Sequence, residues 1–108
     1  MLVEKDLVDK EYKKHFPDMF HKYANCVYTK KVKDNNGHTK YFIHYYFYCD
    51  MINNIPNSYG VEVQFQRNDE VFNIEIFNGK INHDLNYTES LIEEIWLKMG
   101  FALYEEGE

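Results

Sequence analysis

Residues 61–76 read Val61-Glu62-Val63-Gln64-Phe65-Gln66-Arg67-Asn68-Asp69-Glu70-Val71-Phe72-Asn73-Ile74-Glu75-Ile76. Val61, Val63 and Phe65 alternate with Glu62, Gln64 and Gln66, and Phe72, Ile74 and Ile76 alternate with Asn73 and Glu75. Successive strand side chains point to opposite faces, so a period of two marks a half-buried strand. A two-residue turn at Asn68-Asp69 sets Phe65 against Phe72, Val63 against Ile74 and Val61 against Ile76 on a dry face. The reverse face pairs Gln66 with Val71, Gln64 with Asn73 and Glu62 with Glu75. One dry and one polar face define an antiparallel hairpin with a single buried side. Glu62 opposite Glu75 is its one discordant pair, unfavourable by about 0.2–1 kcal/mol.

N-terminal to this lies a second pair of extended runs, 24–33 and 39–49, around Asp34-Asn35-Asn36-Gly37-His38. Asn-Gly is the strongest short hairpin signal because both turn residues need positive φ. Centred on Asn36-Gly37, the turn sets Tyr28 against Tyr45, Cys26 against Phe47 and Val32 against Tyr41. Val27–Tyr46 and Lys31–Phe42 fall on the reverse side. Both sides carry rings, so this hairpin is covered on both faces or holds one face for a partner. Asp50 to Ser58, with its Pro and Asn residues, connects the two hairpins.

Beyond the hairpins, Leu91, Ile92, Ile95, Trp96 and Met99 make an apolar helical stripe, while Glu93, Glu94 and Lys98 face out. Asn86, Thr88 and Ser90 are alternative N-caps, Ser90 with Glu93 at capping-box spacing, and Gly100 is placed to end the helix in the left-handed region. At the other end, Asp6 is read as the N-cap of a first helix. Val8, Tyr12, His15, Phe16, Met19, Phe20 and Tyr23 recur at steps of three and four. Pro17 interrupts them, so the helix stops near His15 or Phe16 and a second short turn runs on through Phe20. The expected architecture is α+β: a four-stranded antiparallel sheet of two hairpins, with this bent helix and the C-terminal amphipathic helix packed on one face. Trp96 and Ile74 are expected to be buried in opposite layers of the core.

A length of 108 residues suits one domain, 1–108, with residues 104–108 as an acidic tail that frays. Leu, Ile, Val and Phe number 29 of these, above the level of about 20% below which chains stay disordered. No run approaches the roughly 18 apolar residues of a membrane span. The opening MLVEKDLVDKEY has no hydrophobic signal core, so a cytoplasmic location and reduced Cys26 and Cys49 are expected. Asn, Ile, Lys, Tyr and Phe supply 48 of the 108 residues, and AT-rich codons encode all five, which weakens any functional reading of the tyrosine count. Low-GC bacteria, their phages and their plasmids share that bias.

Charge is unevenly spread. Residues 1–50 hold nine Lys against seven acids, whereas residues 51–108 hold Arg67, Lys80 and Lys98 against eleven. An acidic half repels phosphate and attracts basic surfaces, including the groove of a nucleic-acid-binding protein; the blander reading is a solvated, solubilising face.

Chemistry-bearing motifs are scarce. His15 and His21 are six apart, no HxxxH, CxxC or HExxH occurs, and His44 has Cys49 nearby but on the opposite strand face and would need a third ligand from elsewhere in the fold, so no metal or other cofactor is expected. No serine sits in a GxSxG setting, the five glycines are isolated, and no catalytic residue is assigned. His83-Asp84 is read as a loop cap. Lys30, Lys31, Lys33, His38 and Lys40, interleaved with Tyr28, Tyr41 and Phe42, could stack RNA, but they also suit a hairpin edge protected from aggregation.

The resulting expectation is a small, non-enzymatic, acidic inhibitor, phage- or mobile-element-encoded, that blocks a basic nucleic-acid-handling protein such as a defence nuclease. Its protein-binding residues are read as Glu62, Glu75, Asp69, Glu70, Glu93 and Glu94, with no direct contact to nucleic acid or membrane. An immunity protein against a nuclease toxin fits the same features. The rival class is a small enzyme or ligand-binding domain using the aromatic face of the first hairpin, in a pocket lined by Tyr45, Tyr46 and Tyr48.

Overall fold

The computed structural model describes residues 4–16, 24–49, 56–80 and 84–105. In chain order these form α1 (Glu4–Asp9), β1 (Lys13–His15), β2 (Cys26–Lys33), β3 (Thr39–Cys49), β4 (Pro56–Arg67), β5 (Glu70–Lys80) and α2 (Leu85–Met99). The fold is α+β, and the strands make one antiparallel sheet in the order β1-β2-β3-β4-β5. Each strand thus pairs with its neighbour in sequence, as local antiparallel connections favour.

The fifth strand corrects the four-stranded expectation, and it comes from the residues read as helix. α1 ends at Asp9, and Glu11 takes a left-handed φ of 70°, which no helix continues through. Lys13 to His15 then pair with Thr29 to Val27. Leu7 is the fully buried residue of α1, whereas Val8 is 55% and Phe16 91% exposed. Of the described residues in the expected stripe only Tyr12 is buried, and the second turn near Pro17 lies outside the described residues. Tyr12 explains the bend: it packs edge-on against Tyr45, with centroids 5.4 Å apart, and donates to Glu89 of α2. Tertiary packing of one ring outweighs a helical spacing.

The first hairpin has the expected register, with Tyr28↔Tyr45, Cys26↔Phe47, Val32↔Tyr41, Val27↔Tyr46 and Lys31↔Phe42. Its turn differs. Only Gly37 has positive φ, at 86°, and its N–H donates to the Asp34 carbonyl at 3.2 Å. The Asp34 carboxylate accepts from the N–H groups of Asn36 and His38, and those bonds hold its carboxyl below the usual range. The partner of Val32 is Tyr41 and that of Lys33 is Thr39, so Lys40 is an extra, bulged residue that restores the register. In the second hairpin Asn68 and Asp69 both have positive φ, 50° and 69°, and Phe65↔Phe72, Val63↔Ile74, Gln64↔Asn73 and Glu62↔Glu75 pair as expected. Val61 pairs with Phe77 instead of Ile76, because a bulge at Ile76 intervenes.

One sheet face carries the main core. Tyr28, Tyr41, Ile43, Tyr45, Phe47, Tyr59, Val61, Val63 and Phe65 cluster there with Leu7, Leu85 and Ile92 from the two helices. Asp84, none of the three expected residues, caps α2 by accepting from the Tyr87 N–H at 3.2 Å; Gly100 ends the helix at φ 69°, as expected. Glu94 bonds Lys98 at 2.6 Å, while Met99 is half exposed. Trp96 and Ile74 are only partly buried against the cluster. Phe101 stacks on Phe65 at 4.4 Å, the Ala102 N–H donates to the Gln66 carbonyl, and the Tyr104 N–H donates to the Thr39 carbonyl. The chain after α2 thereby ties the ends of β3 and β4 together.

Candidate functional site

Alternation sends two kinds of side chain to the two faces of the sheet. Toward α2, Lys30 pairs with Glu89 at 3.0 Å, and the Lys40 ammonium pairs with Glu93 while lying 4.5 Å above the Trp96 ring. Tyr41 donates to Glu93 at 2.6 Å. Burial pulls the Glu93 carboxyl up, but the Lys40 and Tyr41 bonds outweigh it and hold the group below its ordinary value. Glu93 is therefore an internal partner, where the helical pattern had it facing out.

The opposite face is polar and partly open. Cross-strand pairing puts Thr29, His44 and Glu62 on it, joined by His15 from β1 and Gln64 from β4. His15 Nε2 and His44 Nδ1 lie 2.6 and 2.8 Å from the Thr29 hydroxyl, and His44 Nε2 lies 3.0 Å from Gln64 Oε1. His15 Nδ1 is 3.0 Å from the Phe16 carbonyl. The row thus runs across four strands between two acceptors. Four hydrogen bonds need four protons, yet one hydroxyl and two neutral imidazoles supply three. It is complete with one imidazolium, or with the Gln64 amide turned to donate to His44. Phe42 and Tyr46 flank His44, with ring centroids 6.5 and 6.0 Å away. Such a row can pass a proton between His15 and His44 through Thr29.

Along the same face charge changes sign. Glu62 and Glu75 sit opposite one another at the β4–β5 end, and they add to burial in pushing the Tyr48 phenol up. At the β1–β2 end, Lys13, His15, Lys31 and Lys33 line a groove of about 760 Å³ with Thr29 and Phe42. The Lys31 ammonium lies 5.8 Å above the Phe42 ring.

The six carboxylates read from the sequence do not form one surface. Glu62 and Glu75 share the open face, Asp69 and Glu70 stand at the β4–β5 turn, and Glu93 and Glu94 belong to α2 on the other side of the sheet. The first-hairpin lysines are likewise divided: Lys30 and Lys40 are bound to α2 carboxylates, and Tyr28 and Tyr41 are buried. Tyr45 is fully buried on the core face while Tyr46 is on the other, so Tyr45, Tyr46 and Tyr48 do not line a common pocket. Sequence reasoning missed the His15–Thr29–His44–Gln64 row. The Thr29–His44 half followed from the hairpin register; the His15 half needed the unforeseen β1. Among the described residues, no three His, Cys, Asp or Glu side chains converge as metal ligands, and no helix is long and apolar enough to cross a membrane. No protein-family model, curated protein or solved structure matches this chain.

Proposed function

We propose that this is a non-enzymatic binding protein that engages a basic protein surface through the acidic end of its open sheet face, centred on Glu62 and Glu75. The observation that carries this reading is the direct opposition of those two carboxylates in the β4–β5 ladder, on the face away from α2. Like charges directly opposite one another repel, and a partner's Arg or Lys placed between them would offset that repulsion. Asp69 and Glu70 lie at the turn, five residue pairs further along the ladder, outside this site. Glu93 and Glu94 are left to structural ion pairs with Lys40 and Lys98.

The basic groove of a nucleic-acid-handling enzyme is the kind of surface such an edge would occupy, as in a phage-type inhibitor of a defence nuclease or an immunity protein. The test uses the wild-type chain and a Glu62→Lys/Glu75→Lys double variant as baits in a low-GC bacterial lysate. A nuclease-class partner should be retained by the wild type, displaced by added DNA and lost with the variant. Its association rate should fall as salt shortens the Debye length toward about 8 Å. A partner bound equally by both baits, with no response to salt or DNA, would falsify the reading.

A further inference from the structure

Nine lysine side chains are described, and five of them (Lys5, Lys14, Lys30, Lys40 and Lys98) lie within 4.0 Å of a carboxylate. The remaining four are Lys10, Lys13, Lys31 and Lys33, which have no carboxylate partner among the described residues. Three of those four line the groove at the β1–β2 edge, and Lys10 does not. Arg67 is a fifth described cation without an ion pair and also lies elsewhere, but in a chain of net charge −6 the gathering of three of the four unmatched lysines at one concavity is a departure from the general pairing.

The groove has more than charge. β1 pairs only with Val27 to Thr29, so β2 runs on past its end, and Lys31 and Lys33 belong to the stretch that extends beyond it. His15 and Thr29, held to each other by their own hydrogen bond, form part of the same wall, and Phe42 supplies a half-buried ring beneath the Lys31 ammonium. A volume of about 760 Å³ falls in the range of small-molecule sites. Among the described residues, Glu11 is the one acid on its rim.

Ammonium groups act as point charges toward phosphate, and an aromatic ring packs against a planar base. We propose that this groove is a nucleotide-binding site, with Lys13, Lys31 and Lys33 holding the phosphates and Phe42 the base. It lies at the opposite edge of the sheet from Glu62 and Glu75, and its test leaves those residues untouched.

The experiment titrates the intact, isotope-labelled protein with ADP, inorganic pyrophosphate, a short single-stranded oligonucleotide and a poly-glutamate peptide, following amide shifts. ADP should give saturable shifts confined to residues 11–15, 29–33 and 42, and should bind more tightly than pyrophosphate. Lys31→Ala/Lys33→Ala should weaken binding at least about tenfold, equivalent to about 1.4 kcal/mol, with Lys10→Ala unchanged. Phe42→Leu, checked for native amide dispersion, should remove the preference for ADP over pyrophosphate. An oligonucleotide bound far more tightly than ADP, with a steep salt dependence, assigns the nucleotide to a strand; comparable affinities assign it to the free molecule. The proposal is overturned if ADP binds no better than pyrophosphate or poly-glutamate, or if Lys10→Ala weakens binding as much as the groove variants do.

Discussion

At the residue scale, Thr29 is the hinge of the open face. Its hydroxyl meets two imidazoles, so it must donate to one and accept from the other, which fixes both rings with a single oxygen. Replacing it by the isosteric valine keeps the volume and strand propensity while orphaning one nitrogen on each histidine. Thr29→Val should cost about 1–2 kcal/mol in urea denaturation, in line with the loss of one part-buried and one exposed hydrogen bond. An unchanged midpoint would mean that water replaces the hydroxyl at both rings. Glu93 is the residue-scale counterpart on the core side. Because its folded value is lowered, its contribution is whole above the ordinary carboxylate value of 4.5 and fades as pH falls through the lowered one.

At the element scale, the two turns solve one problem in opposite ways. Gly37 stands alone in the left-handed region at φ 86°, with nothing within 4 Å of an added Cβ, so Gly37→Ala meets backbone strain and no clash. A loss of about 1 kcal/mol is expected. Asn68 and Asp69 share the left-handed burden without a glycine. Asp69→Gly relieves the left-handed strain of about 1–2 kcal/mol and gives part of it back to the freer unfolded chain, so a net gain of under about 1 kcal/mol and a raised thermal midpoint are expected. If Asp69→Gly destabilises instead, the aspartate is making a contact that outweighs its φ. Within α2, burial is concentrated at Leu85, Thr88 and Ile92, nearer the N-terminus than the apolar stripe suggests. Ile92→Ala should cost about 2–5 kcal/mol, and Met99→Ala, at a half-exposed position, much less. Equal costs in a denaturation series would place the buried face of the helix elsewhere.

At the scale of the whole molecule, the core is built from phenols, which makes alkali its weakness. Tyr12, Tyr28, Tyr41 and Tyr45 all have phenols raised above the ordinary 10.0, chiefly by burial, with the carboxylates of Glu89, Glu93 and Glu4 adding to it around the α2 side and α1. Tyr59 and Tyr104 are pushed up to about 12 by burial. A raised value means the folded chain keeps a proton that the unfolded chain releases. The stability is whole below pH 10 and is lost as pH rises through the folded values, at about 1.4 kcal/mol per pH unit for each phenol. Thermal midpoints should be flat near neutrality and collapse above pH 10; tyrosines that ionise near pH 10 with the fold intact would contradict the buried assignments.

What the sequence determined by itself is what strictly local physics controls. A period of two in Val61-Glu62-Val63-Gln64-Phe65 needs only an apolar layer on one side, and short turns leave little freedom in register, so the Glu62–Glu75 and Thr29–His44 neighbours were already implied. Gly100 ended its helix for a reason contained in one backbone angle. What only the tertiary structure decided depends on which surfaces meet. Tyr12, His15 and Phe16 have helical spacing, but Tyr12 gains more from Tyr45 and Glu89 than from a continued helix, and the fifth strand follows. Glu93 faces out on a helical wheel and inward in the molecule because Lys40, re-aimed by a bulge, lies beneath α2. Charge in the sequence is divided by position along the chain; in the molecule it is divided by sheet face and sheet edge. That leaves Lys13, Lys31 and Lys33 together with no ion-pair partner among the described residues, and Glu62 opposite Glu75, because antiparallel pairing, which has no regard for sequence distance, sets the neighbours.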